Sequence, residues 1–363
     1  MRLLLIICLF FSCVKKDIKT LKWIKNYTFY SGFNSGNRQI VKIDGEEFIF
    51  YADYNTFKKI VIHSFMKNEV QEVDLSKIIN GGEKIYGYEV VSLDSIYVLT
   101  KYTSKIFLIN SKGNIEKEID FSQYSSIKNK YELMSSSSPF LYNDTTFIFS
   151  LDYRVDTGTV KENHNNGKKE AILFKVNNFK KDSLSCKLGL YNLYNNFTTE
   201  NDFSIEGNHF TFINERIIFY SAYSDTLYII NPITLALDDK VKITSEFSQV
   251  YINPVKITDQ LSGKSDLNKN FKSNGQIRGL LYDSRKNKYF CFVTHKPKNK
   301  VNPWSIIVLD EKFNKIDEVK MDHTKYSSSG VMTDEGILIS NYYETLNDKD
   351  HFEKNTMTLF RYE

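Results

Sequence analysis

One arrangement of short strands recurs along the sequence and limits the possible folds more than any other feature. Within Asp94–Phe121, the apolar runs Ile96–Leu99 and Ile106–Ile109 are separated by a polar loop and followed by the turn residues Asn110–Asn114. The segment Ile115–Phe121 then alternates apolar and polar residues, as a half-buried strand does. This stretch predicts a strand, a loop, a second strand, a tight turn and a third strand.

Copies of this unit account for most of the chain. Their starts lie 48, 50, 70, 72 and 48 residues apart, at Glu46, Asp94, Asp144, Asn214, Lys286 and Asp334. A propeller blade runs to roughly 40–50 residues, so the two longer intervals contain insertions. Another apolar segment precedes each start, which gives four strands, A to D, per unit. The pattern predicts an all-β fold, a six-bladed β-propeller of four-stranded antiparallel blades.

The two ends of the chain complement each other. The sixth unit lacks strand D, and Leu21–Phe29 is an apolar strand without a unit of its own. Pairing the two would close the ring and leave no bare sheet edge. We expect Leu21, Trp23, Tyr27 and Phe29 to share one face of this strand. The alternatives are a seven-bladed ring, in which Leu21–Asn37 belongs to another blade, and a pair of β-sandwiches.

The N-terminus has the features of a targeting segment. Arg2 precedes nine apolar residues, Leu3–Phe11, a run that suits a signal peptide and is too short to span a bilayer. With Ser12 before Cys13, it resembles a bacterial lipoprotein signal in which Cys13 is lipidated. The alternative is an ordinary secretory signal. We expect a signal in residues 1–13, a tether in 14–20 and a single propeller domain in 21–363.

The units also resemble known propellers. The stretch Ser95–Phe121, with its segments IYVLT and KIFLINSKGNIEKEI, is similar to the blades of NHL-like and TolB-like six-bladed propellers. Together with Cys13, this likeness makes the chain resemble the uncharacterised propeller lipoproteins of Bacteroidota. The resemblance implies a lipid anchor in the outer membrane of a Gram-negative cell, at the periplasmic face or the cell surface. It carries over no catalytic residues.

Composition and motifs exclude several functions. The net charge is +4, and because Lys and Arg are not clustered we expect no nucleic-acid partner. There is no nucleophile elbow, phosphate loop or paired metal-ligand motif, and the six histidines are not at ligand spacing. Cys186 and Cys291 fall in different units, so we expect them to act as small apolar residues.

The fold is compatible with two functions. The first is a non-catalytic binding module for a protein or glycan partner, and the second is a calcium-dependent, lactonase-like hydrolase. Acidic and Asn side chains on the innermost strands would favour the hydrolase, and few are present: Asn37, Glu89 and Asn208. The sequence therefore favours binding over catalysis, with no metal or cofactor expected except Ca²⁺ in the hydrolase alternative.

The long connections predict which face of the propeller carries function. B–C and D–A connections emerge on one face, which we call the long-loop face, and this face has the long loops: Asp152–Glu170, His295–Trp304, Asn341–Thr356, Ser122–Ser135, Tyr191–Glu206 and Thr244–Gln276. Loops presented by a rigid scaffold often carry function. The candidate ligand-binding residues are Arg38, His209, Arg278 and Ser328 at the channel mouth, with Trp304, Tyr342 and Tyr343 in the loops. The alternative is that the long loops reflect only tolerance of insertions.

Overall fold

The computed structural model describes residues 21–30, 33–53, 58–79, 85–100, 105–120, 131–133, 140–143, 145–153, 170–177, 185–192, 208–221, 224–250, 275–296, 303–341 and 354–363. The predicted signal peptide and tether lie outside these ranges and stay predictions. Across the ranges, secondary structure consists of strands and turns. They contain no helix with the length and hydrophobicity needed to cross a bilayer.

The strands follow one another in the predicted groups. Strand β1 (Leu21–Tyr30) comes first. Blade 1 contains β2 (Phe33–Ile43), β3 (Glu46–Asp53), β4 (Lys59–Ser64) and β5 (Val70–Asp74). Blade 2 contains β6 (Ile85–Ser92), β7 (Ser95–Thr100), β8 (Lys105–Ile109) and β9 (Ile115–Asp120). Blade 3 contains β10 (Tyr131–Leu133), β11 (Phe140–Asn143), β12 (Thr146–Tyr153), β13 (Glu170–Asn177) and β14 (Ser185–Asn192).

The second half of the chain repeats the arrangement. Blade 4 contains β15 (Asn208–Ile213), β16 (Arg216–Ser221), β17 (Thr226–Ile230) and β18 (Leu237–Lys242). Blade 5 contains β19 (Gln276–Asp283), β20 (Lys288–Thr294), β21 (Trp304–Leu309) and β22 (Lys315–Met321). Blade 6 contains β23 (Tyr326–Met332), β24 (Ile337–Asn341) and β25 (Lys354–Tyr362). The strands form six separate sheets, and all pairings within them are antiparallel. The prediction of a six-bladed propeller is therefore confirmed.

The ring closes as expected. Strand β1 is the outermost strand of blade 6, in the order β1-β25-β24-β23, and pairs with β25 from Leu21 opposite Tyr362 to Tyr30 opposite Lys354. The N-terminal segment therefore supplies the strand D that the last unit lacks. Because β25 is paired on both sides, blade 6 does not end in a bare β25 edge.

The prediction that four apolar residues of β1 share a face was wrong. A β-bulge between Trp23 and Lys25 inserts one extra residue, which reverses the side-chain alternation beyond it. Phe29 consequently packs with the core between blades 6 and 1, whereas Leu21 packs with the core between blades 5 and 6. Trp23 is 58% exposed.

The innermost strand of blade 3 is also interrupted. Strands β10 and β11 both pair with β12, β10 through Tyr131 opposite Tyr153 and β11 through Phe140 opposite Ile148. Part of the predicted loop Ser122–Ser135 is therefore strand. Its residues Tyr131–Leu133 continue the sheet because their backbone groups find partners on the longer β12.

The hydrophobic core lies between neighbouring blades. Strand β2 contacts β6 and β23, β6 contacts β11, and β19 contacts β15 and β23, so the inner strands line a central ring. Apolar faces of adjacent sheets pack together, as Phe50 of blade 1 does with Val98 of blade 2. Cys291 is buried in the core between blades 4 and 5, as expected of a small apolar residue.

On the face opposite the long-loop face, the turn residues determine where the strands end. The A–B turn of blade 1, Asp44–Gly45, has positive φ at both residues, which matches the tight hairpins that twisted strands prefer. In the C–D turns the first residue caps the loop: Asn110 Oδ1 accepts from the amides of Lys112 and Asn114, and Asp310 Oδ1 accepts from those of Lys312 and Asn314. The predicted Asn110–Asn114 turn is confirmed.

Candidate functional site

Four of the predicted site residues lie on inner strands. Arg38 is on β2, His209 on β15, Arg278 on β19 and Ser328 on β23, so blades 1, 4, 5 and 6 each contribute one. Arg278 is exposed and occupies the bulge between Ile277 and Gly279. Ser328 is half-buried in the irregular part of β23. His209, Arg278 and Ser328 lie within the first three residues of their strands, towards the long-loop face, and Arg38 lies at the middle of β2.

Arg38 and His209 are held by neighbouring side chains. The guanidinium of Arg38 donates from Nη1 to Ser340 Oγ at 2.8 Å and lies 3.4 Å from Met357 Sδ, which ties blade 1 to blade 6. His209 is half-buried and stacks on Tyr220, with 5.2 Å between ring centroids and 23° between planes. Both side chains are oriented by the scaffold and keep part of their surface exposed.

The aromatic candidates have different outcomes. Trp304 is 1% exposed, stacks on Phe292 and donates from Nε1 to the carbonyl of Tyr326 at 2.8 Å. It is a core residue that joins blades 5 and 6, and it has no surface to offer a ligand. Tyr342 and Tyr343 lie outside the described residues, as do the central parts of most of the long loops.

A carboxyl group stands where three inner strands meet. Glu89 of β6 takes a hydrogen bond from Gln39 of β2 and one from the Leu141 amide of β11. Gln39 also accepts from the Val90 amide at 2.9 Å, so it fastens blade 1 to blade 2. Glu89 keeps some accessible surface, but burial raises the pKa of its carboxyl to about 8, and the two hydrogen bonds oppose this only in part. At neutral pH it is mostly protonated.

A second polar cluster lies on blade 5 at the long-loop face. His295 follows β20, Ser305 is the second residue of β21 and is buried, Glu318 is on β22, and Ser248 comes from the D–A connection between blades 4 and 5. Ser248 Oγ lies 2.9 Å from His295 Nδ1, His295 Nε2 lies 2.8 Å from Ser305 Oγ, and Ser305 Oγ donates to Glu318 Oε1 at 2.6 Å. We call this set the hydroxyl–imidazole chain.

Glu318 is the charged end of this chain. Burial alone would raise the pKa of its carboxyl, but hydrogen bonds from Lys315, Ser245, Ser305 and the Glu246 amide outweigh burial and leave the pKa below its usual value. The side chain has no exposed surface. For His295, desolvation lowers the imidazole pKa although the Glu318 charge opposes the shift. The cluster therefore combines an ionised carboxylate with a neutral imidazole at pH 7.

Sequence reasoning named Glu89 as an inner-strand acid but missed the hydroxyl–imidazole chain. Its four members are far apart in sequence, and no motif spacing joins a histidine at a strand end to a serine in the preceding connection. A search restricted to short motifs cannot find such a site. Strand register brings the residues together, and register became known only with the structure.

The opposite face also has a concavity. A cavity of about 230 Å³ lies between the A–B turns of blades 5 and 6. Its walls include Arg285, Lys286, Phe290, Glu335, Arg361 and Tyr362. Arg285 forms a two-pronged ion pair with Asp283, and Lys286 donates to the Tyr362 carbonyl. In the described part of the chain, no group of three or more His, Cys, Asp or Glu side chains is arranged to hold a metal ion.

The fold and these surfaces define a class: a six-bladed β-propeller, closed by its N-terminal strand, with polar side chains gathered on one face. The chain belongs to the DUF4221 family, described as a domain of unknown function, whose model matches residues 33–320. This confirms the resemblance to uncharacterised six-bladed propellers of Bacteroidota. Whether they share a lipid anchor stays a prediction.

A solved structure of the same family agrees with this assignment. A DUF4221 member from Bacteroides vulgatus superposes with a TM-score of 0.73 at 17% identity, covering 96% of this chain and 99% of that one, which shows a shared fold. Regucalcin from Agrobacterium tumefaciens, a calcium-binding protein, gives 0.47 at 8% identity with 92% of each chain covered. A luciferin-regenerating enzyme gives 0.48 at 10% identity, covering 92% of this chain and 95% of that one. No curated protein matches the sequence.

Proposed function

We propose that this protein is a lipid-anchored propeller of the cell envelope that binds a protein or glycan partner through its long-loop face. The observation that carries the proposal is the placement of Arg38, His209, Arg278 and Ser328 on four different inner strands near that face. Together they offer cationic, aromatic and hydroxyl groups over the centre of the ring. Such a mixture suits the hydrogen-bonding groups of a sugar or an extended peptide.

The scaffold supports this role because it is closed and internally fastened. Side chains cross several blade boundaries: Gln39 binds Val90 between blades 1 and 2, Arg38 binds Ser340 between blades 6 and 1, and Lys175 donates to the Pro232 carbonyl between blades 3 and 4. A rigid support lowers the entropy lost when surface groups bind a partner.

The assignment of binding to the long-loop face is tested by replacing two positively charged residues of one hairpin. Arg278 lies near the start of β19, and Lys286 lies in the turn at its far end, beside the opposite cavity. Purified protein is screened against a glycan panel and against envelope proteins, and each partner is then titrated with Arg278→Ala and Lys286→Ala. We expect Arg278→Ala to weaken binding at least tenfold and Lys286→Ala to leave it unchanged. The reverse result would assign binding to the face with the cavity.

The anchor is tested separately. Cys13 follows Ser12 after an apolar run, and lipidation of this cysteine would hold the propeller at the membrane. We expect Cys13→Ala to move the protein from the membrane fraction to the soluble fraction. Retention of Cys13→Ala in membranes would contradict the lipid anchor without affecting the binding proposal.

Glu89 favours a second candidate function, the calcium-dependent hydrolase. It is an acidic side chain on an inner strand, where such an enzyme would hold its metal. Calcium prefers six to eight oxygen ligands, so Glu89 would need several further oxygen ligands, and the Gln39 amide oxygen already accepts from the Val90 amide. Calorimetric titration with Ca²⁺ at pH 8.5, where Glu89 is mostly ionised, distinguishes the candidates. Binding that Glu89→Gln abolishes would favour the hydrolase.

A further inference from the structure

The hydroxyl–imidazole chain has one placement of its protons that satisfies every contact within it, although the Ser248 hydroxyl also has the Gln249 carbonyl at 3.3 Å. Glu318 is held as a carboxylate by four donors, so it accepts, and the single proton of Ser305 must point towards it. Ser305 Oγ can then only accept from His295, which places the imidazole proton on Nε2. His295 Nδ1 is left as an acceptor, and Ser248 is the hydroxyl within reach, at 2.9 Å.

From this order we infer that Ser248 is an activated nucleophile, with His295 as its general base, and that the site accepts short-chain carboxylic esters. A hydroxyl becomes nucleophilic when an adjacent base takes its proton and a third group orients the base. Here Ser305 and Glu318 are the positioning residues. The distance between His295 Nε2 and Glu318 Oε1, 3.9 Å, is too long for a hydrogen bond, so Ser305 transmits the effect of the carboxylate.

The reaction is an acyl transfer to Ser248. Ser248 Oγ bonds to the ester carbonyl carbon while its proton passes to His295 Nδ1. The carbon–oxygen bond to the alcohol portion breaks, and the same proton passes from Nδ1 to the leaving oxygen. The products are an alcohol and an acyl-serine, and attack by water through the same base releases the carboxylic acid.

The surroundings of Ser248 suit such a substrate. Ser248 is half-buried and therefore reachable, whereas His295 is buried. The adjacent Phe247 is 45% exposed and packs edge-on against the His295 ring, with 5.5 Å between centroids. Phe247 thus offers an apolar surface next to the nucleophile, where a short acyl chain can lie.

Comparison with blades 1 and 2 shows that blade 5 differs from them at this position. In blades 1 and 2 the first residue of strand C is followed thirteen residues later by a glutamate, and the two form a surface ion pair: Lys59 with Glu72, and Lys105 with Glu118. Blade 5 keeps the glutamate, Glu318, at the same spacing from Ser305. A buried serine has replaced the lysine, and the carboxylate faces the histidine. A purely structural role would be met by the ion pair that blades 1 and 2 use.

The test uses a fluorescent fluorophosphonate, which labels activated serines with loss of fluoride, and p-nitrophenyl acetate as the ester. The full chain is compared with Ser248→Ala and with Ser284→Ala. Ser284 is the control because it is an exposed serine on the same blade, in the turn between β19 and β20, and lies outside the hydroxyl–imidazole chain. We expect labelling and ester turnover to be lost in Ser248→Ala and kept in Ser284→Ala. Mass spectrometry of the labelled wild type should place the adduct on Ser248.

A positioning role for Ser305 predicts a specific change in the kinetics of acylation. Ser305→Ala should slow acylation of Ser248 by roughly a hundredfold, at the lower end of the range of general-base effects, with little change in KM. The rate should fall as pH decreases through the His295 pKa, which burial holds below its usual value, with Glu318 raising it and Lys320 lowering it. The other charged groups of this cluster are Lys315, which pairs with Glu318, and Glu246, which pairs with Lys315. Wild-type labelling no faster than that of Ser248→Ala, or an adduct on another residue, overturns the proposal.

Discussion

Replacing Glu89 with Gln should stabilise the folded protein at neutral pH. Gln has nearly the same shape as a protonated Glu, and it can keep the hydrogen bond from the Leu141 amide. The substitution removes the ability of this side chain to ionise. In the unfolded chain the Glu89 carboxyl loses its proton near its ordinary pKa of 4.5, whereas in the fold burial holds the pKa at about 8.

The sign and size follow from proton linkage. Between pH 4.5 and 8 the folded state binds the proton more tightly than the unfolded state, so this group is least costly below pH 4.5 and its contribution to stability falls as pH rises to about 8. Each unit of pKa difference corresponds to about 1.4 kcal/mol, so the cost at pH 7 is at most about 3 kcal/mol. Allowing for the residual exposure of Glu89, we expect Gln to gain roughly 2 kcal/mol there.

The assay is chemical denaturation of wild type and Glu89→Gln at pH 5, 6, 7 and 8. The difference in unfolding free energy should be small at pH 5 and grow with each step. Glu69→Gln, at an exposed position of blade 1, controls for the loss of one negative charge. A difference between wild type and Glu89→Gln that stays constant from pH 5 to pH 8 would refute the raised pKa and the buried environment that explains it.

Three further predictions concern the scaffold. Deleting Leu21–Phe29 should lower the melting temperature markedly and cause aggregation, because β25 becomes a bare edge and the buried Phe29 is lost; an unchanged melting curve would contradict closure. Trp304→Ala should cost about 3–5 kcal/mol in denaturant unfolding because Trp304 is fully buried, while Trp23→Ala, at the exposed tryptophan, should cost less than about 1 kcal/mol. Gly113→Ala should destabilise by at least about 1 kcal/mol, since φ is +75° and a Cβ would lie 2.4 Å from the Asp74 carbonyl oxygen; a neutral melting shift would show that this turn relaxes.

The architecture could be predicted because each blade repeats its own local signals. Apolar runs marked strands B and C, and turn residues such as Asn110–Asn114 marked the C–D connections. Closure could be predicted from a missing strand at one end and a surplus strand at the other. These features depend on hydrophobic periodicity and turn chemistry, which a sequence displays directly.

Details that depend on register could not be predicted. The bulge at Trp23 and Lys25 is a single extra residue, with no glycine or proline to mark it, yet it places Phe29 in a different core from Leu21. Trp304 looked like a loop aromatic because it follows the long B–C connection. It is the first residue of β21, where its indole reaches the Tyr326 carbonyl on the next blade. Packing between blades determines where such side chains lie, and the local sequence pattern does not show that packing.

The hydroxyl–imidazole chain did leave a trace in the sequence, in the form of a broken repeat. Once strands C and D of three blades are aligned, the same thirteen-residue spacing joins Lys59 to Glu72, Lys105 to Glu118 and Ser305 to Glu318. The first two glutamates are about half exposed and pair with lysine at the surface, whereas Glu318 is fully buried beneath the connection that carries Ser248. Burying a carboxylate is costly unless several donors satisfy it. Blade 5 accepts this cost where blades 1 and 2 use a solvent-exposed ion pair, and in return it holds a neutral histidine against a reachable serine. In a repeat protein, the position where one repeat replaces a surface pair with a buried polar network is therefore the place to look for chemistry.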